Sequence, residues 1–458
     1  MKTILNSAVL RPVMDKLGAA NAETARRWAG ESTGRQPVHT VYGGAHLFKA
    51  ETCAKLGEAA CHAFKTYAPD VGTFATALGL VASDPAQDAW LKETVYERVR
   101  EKLAREAVED FRIDFEDGFG VRSDAEEDTT AMRAAGEVAK GMRDGRLAPF
   151  IGLRIKTLSE ELKHRSVRTF DLFLATLLAE TGGMLPSGFV VTLPKITSIA
   201  QVEAFADVLE LLERGHGLAE GTLRMEIMVE VTQSILTDDG RAALPLLLQA
   251  GRGRISGAHF GTYDYTAACN ITAAQQAMDH PACDFARSMM KVAFAGRPIC
   301  LSDGATNVMP VGPHREAKGG PALTPAALAE NRAVVHRAWR LSYAHISHSL
   351  RNAFYQGWDL HPAQLPVRYG ACYAFFLDGL KPATERLHAF IDKAAQATLL
   401  GDVFDDAATG QGLLNYFLRA LACGAITPDE ITATGLTLDE IQSRSFLKIL
   451  EGRKPRGH

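Results

Sequence analysis

Three acids fall within four positions at Asp114, Glu116 and Asp117, in the stretch Phe111-Arg112-Ile113-Asp114-Phe115-Glu116-Asp117-Gly118. Carboxylates this close repel one another and are tolerated only where a cation, a basic group or solvent offsets their charge. Apolar residues alternate with charged ones until a glycine breaks the run, the pattern of a buried strand that delivers carboxylates to its C-terminal end. A strand end opening onto water, with Asp and Glu capping the next helix, accounts equally well for the octet alone. Other polar residues close short apolar runs in the same way: Arg154, Lys195, Glu230, Asp264, Asp303 and His361.

Glu230 and Asp264 stand about one strand–helix–strand unit apart, so in a barrel they occupy adjacent strand ends. Two oxygen ligands at that spacing suit an Mg²⁺ that keeps several waters and takes its other ligands from substrate, with Mn²⁺ as the alternative. Arg154 would lie across the same mouth. A divalent cation and a guanidinium both bind an oxygen on which negative charge develops, which is what a reaction through an enolate needs. Each residue alone has a structural explanation, Arg154 as a strand-end ion pair and the two acids as helix caps. The three in consecutive barrel positions argue for chemistry.

The elements that must position these groups alternate along the chain. Strands are expected at 37–42, 111–118, 150–155, 189–195, 224–229, 255–261, 298–304 and 357–362. Helices are expected over 128–143, 166–181, 198–214, 242–249 and 324–354. A long helical region over 50–108 is interrupted near Pro69 to Gly72 and at Asp84-Pro85. Eight strands alternating with helices is the count of a TIM barrel, an α/β fold whose reactive residues come from the C-terminal ends of several strands. An open doubly wound sheet competes, but the first strand–helix turn has no G-x-G-x-x-G and no Walker A sequence occurs. The expected division is an N-terminal helical arm over 1–36, in which Asn21 to Thr24 opens a helix, a barrel over 37–381, and a C-terminal helical domain over 382–458. Breaks at Gly401 and at Thr409-Gly410 suggest that this last domain acts as a lid, and helix caps are expected at Thr427 and Thr437.

The 458 residues carry a formal net charge of −4, so no overall field recruits nucleic acid or an anionic membrane, and the expected partner is a small molecule. Seven cysteines without a CxxC pair argue for reduced thiols and a cytoplasmic location. Neither an export signal nor a transmembrane run is expected.

Six pieces, in order, resemble the superfamily that joins the citrate lyase beta subunit, malyl-CoA lyase, the HpcH/HpaI pyruvate-type aldolases and, more remotely, malate synthase. They are Asp114-Phe115-Glu116-Asp117-Gly118, Gly152-Leu153-Arg154-Ile155, Leu193-Pro194-Lys195-Ile196, Val229-Glu230-Val231-Thr232, Phe260-Gly261-Thr262-Tyr263-Asp264-Tyr265 and Leu360-His361-Pro362-Ala363-Gln364. The resemblance spans about 37–380, and the Tyr263-Asp264-Tyr265 form is similar to malate synthase.

The resemblance implies a metal held by Glu230 and Asp264, with Arg154 on the oxo-acid carboxylate or enolate oxygen. Lys195, Gly261 and Thr262 would line the substrate's place, and Glu116 and Asp117 would order the metal's waters or the arginine. It implies a carbon–carbon lyase or aldolase acting on a 2-oxo-4-hydroxy acid or a 3-hydroxyacyl-CoA ester, with a homo-oligomeric assembly. His46 and Asp114 are the candidate bases, while His361 is read as structural. A phosphoenolpyruvate- or pyruvate-type transfer enzyme is one alternative, although the chain has no phosphohistidine segment and no Gly-rich ATP loop. A catalytically silent barrel serving as a binding subunit is the other. The insertion between the first two strands and the connections 262–298 and 305–356 exceed the compact lyase pattern.

Overall fold

Short β-branched and apolar runs bounded by turn residues form eight parallel strands, which close in sequence order in this computed structural model. They are β1 (His39–Gly44), β2 (Asp110–Asp114), β3 (Phe150–Arg154), β4 (Val190–Leu193), β5 (Arg224–Val229), β6 (Ile255–Phe260), β7 (Cys300–Ala305) and β8 (Gln356–Asp359). β8 pairs back onto β1, so the sheet has no edge. The structure describes residues 5, 7–30, 34–316, 320–392, 398–400, 403–405, 407–432, 435–443, 448, 449 and 452.

Helices between the strands end where their sequences dictate. Helix Asp124–Asp144 starts at Ser123, whose hydroxyl accepts from the Glu126 amide, and stops at Gly145 in the left-handed region (φ 62°). It buries Ala131, Ala134, Ala135 and Val138 and packs on helix Lys163–Thr181, which buries Phe170, Phe173, Leu174 and Leu177. The expected breaks in the 50–108 region separate helices Thr52–Tyr67, Val71–Leu78 and Asp88–Glu106. Asp70 caps the second, and Asp84 caps the short turn Pro85–Gln87 ahead of the third.

Four expectations need correction. β2 ends at Asp114, because its carboxylate accepts from the amides of Glu116 (3.0 Å) and Gly118 (2.7 Å) and turns the chain out of the sheet. The N-terminal helix runs from Ser7 to Arg27, so Asn21 to Thr24 lies inside it. Thr409 and Gly410 form no turn, but belong to helix Ala407–Ala422. The proposed lid lies at the wrong end of the barrel. Arg419 reaches the Gln36 side chain (2.7 Å) and covers the Tyr355 ring (5.0 Å), and Glu430 pairs with Arg98 (2.7 Å). Gln36 and Tyr355 precede β1 and β8, so this segment packs against the N-terminal ends of the strands, opposite the mouth. Gly401 lies outside the described residues. Thr427 and Thr437 cap their helices as expected, each exchanging hydrogen bonds with Glu430 or Glu440.

The barrel interior departs from the usual branched apolar filling. Arg112 of β2 spans the lumen to Glu226 of β5 with two hydrogen bonds (3.0 and 2.6 Å) and also pairs with Asp110. Glu226 accepts further from Thr192 (2.8 Å) and lies 3.2 Å from His259 Nε2, while His259 Nδ1 meets the Tyr42 hydroxyl at 3.2 Å. This ionic layer is buried and sits directly beneath the mouth. Among the described residues, no helix is long and apolar enough to cross a membrane.

Candidate active site at the barrel mouth

In β2 and β3 the register sets Asp114 beside Arg154, and both side chains face the lumen. Asp114 accepts from Arg154 Nε at 2.7 Å and from Nη2 at 2.6 Å. With the two amides it also holds, both of its oxygens are engaged, so Asp114 positions the guanidinium and does not stand free as a base. Arg154 lies over the rings of Tyr42 (4.9 Å) and Trp358 (5.6 Å), which form an aromatic floor. Burial works against its charge, but Asp114 and Glu116 outweigh that and hold its pKa above the ordinary value.

Nη1 of Arg154 faces Glu116 Oε2 at 2.9 Å, as an ion pair off the hydrogen-bonding direction, and Asp117 Oδ2 at 3.4 Å. Burial raises the pKa of Glu116, whereas Arg154 and Lys195 overcome burial at Asp117 and lower it. Burial thus favours the neutral form of Glu116, while the neighbouring cations favour the ionised form of Asp117.

Lys195 follows β4 in a left-handed backbone conformation (φ 49°), an uncommon geometry for a side chain of this size. That turn aims its amide at Glu230 Oε1 (2.7 Å) and its ammonium at Glu116 and Asp117, with Asp264 3.9 Å away. One residue thus ties together the ends of β2, β4, β5 and β6.

Glu230, just past β5, is fully buried. Its Oε1 takes the Lys195 amide, while its Oε2 has no hydrogen-bond partner. Burial and the neighbouring Asp264 push its pKa up to about 8. Asp264 lies in the first turn of the helix Thr262–Ala268, with its side chain 43% exposed. No group of three or more His, Cys, Asp or Glu side chains that could hold a metal converges among the described residues. A buried carboxylate oxygen without a partner, beside a second, accessible carboxylate, does fit a hard divalent cation that keeps most of its ligands as water.

The comparisons with known proteins bear on this geometry. Residues 17–449 match the family described as Domain of unknown function (DUF6986). The chain belongs to that family. A stretch of 93 residues in this DUF6986 protein is 42% identical to the L-malyl-CoA/beta-methylmalyl-CoA lyase of Haloarcula marismortui, covering 20% of this chain and 25% of that protein. The match therefore spans about a quarter of the length of that curated relative. A citrate lyase structure from Burkholderia xenovorans superposes with a TM-score of 0.55 at 18% identity, over 88% of this chain and 97% of that one. The protein CitE of Mycobacterium tuberculosis, in complex with magnesium, acetoacetate and coenzyme A, gives a TM-score of 0.46 at 14% identity over 86% and 100% of the chains. The citrate lyase likeness shows the barrel fold, and with the malyl-CoA lyase match it bears out the superfamily resemblance read from the sequence.

Other candidate residues of the DUF6986 chain differ in how close they come to this centre. Thr262 is buried, and its hydroxyl contacts Met278 Sδ (3.1 Å). Gly261 matters for close approach: a Cβ there would stand 2.7 Å from Glu230 Oε2. His46 packs on Phe119 (5.8 Å) and makes no hydrogen bond or ion pair to Arg154 or the carboxylates among the described residues. Burial, then Arg122 and Arg133, lower its pKa. His361 is structural as expected, its Nδ1 accepting from the Ala363 amide (3.1 Å). Asp303 pairs with Arg287 and Ser349, away from the constellation. Tyr42 and Trp358 were not singled out from sequence; the signal that could have found them is the strand alternation that turns them into the lumen beside Arg112 and Arg154.

Proposed function

We propose that this protein is a divalent-metal-dependent carbon–carbon lyase or aldolase, acting through an enolate on a 2-oxo-4-hydroxy acid or a 3-hydroxyacyl-CoA ester. The observation that carries this reading is the unpartnered, buried Oε2 of Glu230 beside Asp264, with the Arg154 guanidinium fixed at the same mouth. The 42% identity of one stretch to a malyl-CoA lyase supports the same reaction class.

In this reading Glu230 and Asp264 hold Mg²⁺ or Mn²⁺. The bound cation supplies Lewis-acid stabilisation of the charge that develops on the substrate's carbonyl oxygen. Arg154 donates to the substrate carboxylate or to that oxygen, and Asp114, Tyr42 and Trp358 keep it aimed. Cleavage removes the proton of the hydroxyl on the carbon being released; the carbon–carbon bond then breaks, leaving a new carbonyl and an enolate that takes up a proton on carbon. The carboxyl pair Glu116–Asp117, at the guanidinium, is the group placed to move these protons. Lys195 balances the pair's charge.

The test is release of pyruvate, glyoxylate or acetyl-CoA from a panel of 2-oxo-4-hydroxy acids and 3-hydroxyacyl-CoA esters, with Mg²⁺ and with EDTA, beside Glu230→Ala. Release that needs metal and vanishes in the variant is the expected result. No release from any compound, together with no Mg²⁺ binding by calorimetry, would leave a silent barrel.

A further inference from the structure

The residues between β1 and β2 form the helices Thr52–Tyr67, Val71–Leu78 and Asp88–Glu106. The helices Thr52–Tyr67 and Asp88–Glu106, with the loop 145–149, line an open-sided cleft of about 820 Å³. The lining segments 104–108 and 145–149 run directly into β2 and β3, so the cavity lies at the N-terminal ends of those strands. Asp114 and Arg154 stand at the opposite ends, on the order of 13 Å further along the strands. A second cavity of about 390 Å³, walled by Phe64 and Tyr96, shares Cys61, Lys65, Leu103 and Ala104 with the first.

Exposed basic side chains rim this space. Lys65, Arg105 and Arg146 all line the larger cavity, and none pairs with a carboxylate among the described residues. Two acids also line it. Glu106 is already held by Arg35 and Lys102 (both 2.5 Å), which keep its carboxylate ionised. Glu58 is the remaining one. The balance is positive, over a floor built from Leu103, Ala107, Val108 and Leu147. The volume lies within the range of small-molecule sites.

We propose that this cavity is a second ligand site, distinct from the barrel mouth, for a phosphorylated small molecule with a flat apolar part, that is, a nucleotide-class ligand. Arg105 and Arg146 offer planar forks that match phosphate oxygens, Lys65 adds a point charge, and the aromatic annexe at Phe64 and Tyr96 takes the ring.

Calorimetric titration of the full chain with ADP, inorganic phosphate and adenosine tests this. Saturable ADP binding that weakens about tenfold or more in Arg105→Ala/Arg146→Ala, with the thermal unfolding of the variant unchanged, is the expected result. Glu230→Ala should bind ADP like the parent, which separates this site from the mouth whatever the reaction there proves to be. Three outcomes overturn the proposal: no ADP binding, phosphate binding as tight as ADP, or ADP binding lost in Glu230→Ala and kept in the arginine variant.

Discussion

Asp114 grips Arg154 with both carboxylate oxygens, at 2.7 and 2.6 Å, from the neighbouring strand at the same level of the barrel. The pair is buried to within 2% of full enclosure on both sides, so the guanidinium has a single orientation. Asp114→Asn keeps the volume but loses the charge and one acceptor. Turnover should fall about 100-fold, the scale on which slight misplacement of a positioning group acts, with the fold intact by circular dichroism. Unchanged turnover in this variant would show that Arg154 needs no such clamp.

A pH profile follows from Glu230. Its folded pKa of about 8 lies above the ordinary carboxylate value of 4.5, because burial and Asp264 disfavour its charge. The folded metal-free protein therefore holds a proton that the unfolded chain releases near 4.5. That contribution to stability is fully present below pH 4.5 and is lost as pH rises through about 8. Thermal unfolding in EDTA should show a melting temperature that declines over this window, and Glu230→Gln should flatten the decline. Mg²⁺ competes with the same proton, so its apparent affinity should rise with pH up to about 8. Affinity that is flat between pH 6 and 8 would remove Glu230 from the ligand set.

Eight strands and the mouth residues were legible because strand periodicity and charged strand ends are local signals. The run 110–114 alternates charge and apolar bulk one residue at a time, and all of its charged positions do face the lumen. What those charges meet was not legible, since the partner of Arg112 is Glu226, three strands further on in sequence, and only barrel closure brings them together. The lid expectation failed for a related reason. It rested on glycines, of which Gly410 lies inside helix Ala407–Ala422, whereas which end of the barrel the segment covers depends on distant contacts such as Arg419 with Gln36. The helix turn that exposes Asp264 buries the Thr262 side chain, a difference that the linear sequence does not display.

Gly261 sets how closely β6 approaches β5. A Cβ there would stand 2.6 Å from Glu230 Cβ and 2.7 Å from its Oε2, contacts that ordinary packing does not allow. Gly261→Ala should displace the Glu230 carboxylate and abolish Mg²⁺ binding measured by calorimetry. Stability should drop by about 1–3 kcal/mol, the usual cost of overpacking. A variant that binds Mg²⁺ like the parent would mean that Glu230 can relax without leaving the site.

The ionic layer below the mouth makes a sharper demand on stability. Glu226 is held ionised, since Arg112 and His259 overcome the burial that opposes its charge, while burial raises the pKa of Asp110 on the other side of Arg112. Glu226→Leu leaves the Arg112 guanidinium short of a counter-charge and removes the acceptor of Thr192. Breaking one partner of a buried pair costs about 3–5 kcal/mol, whereas replacing both by apolar groups of similar volume is often neutral. Urea unfolding should therefore show Glu226→Leu and Arg112→Met each strongly destabilised and the double variant Glu226→Leu/Arg112→Met largely recovered, with similar m-values throughout. Additive losses in the double variant would mean that the layer is stabilised by its individual packing contacts and not by the pairing of Arg112 with Glu226.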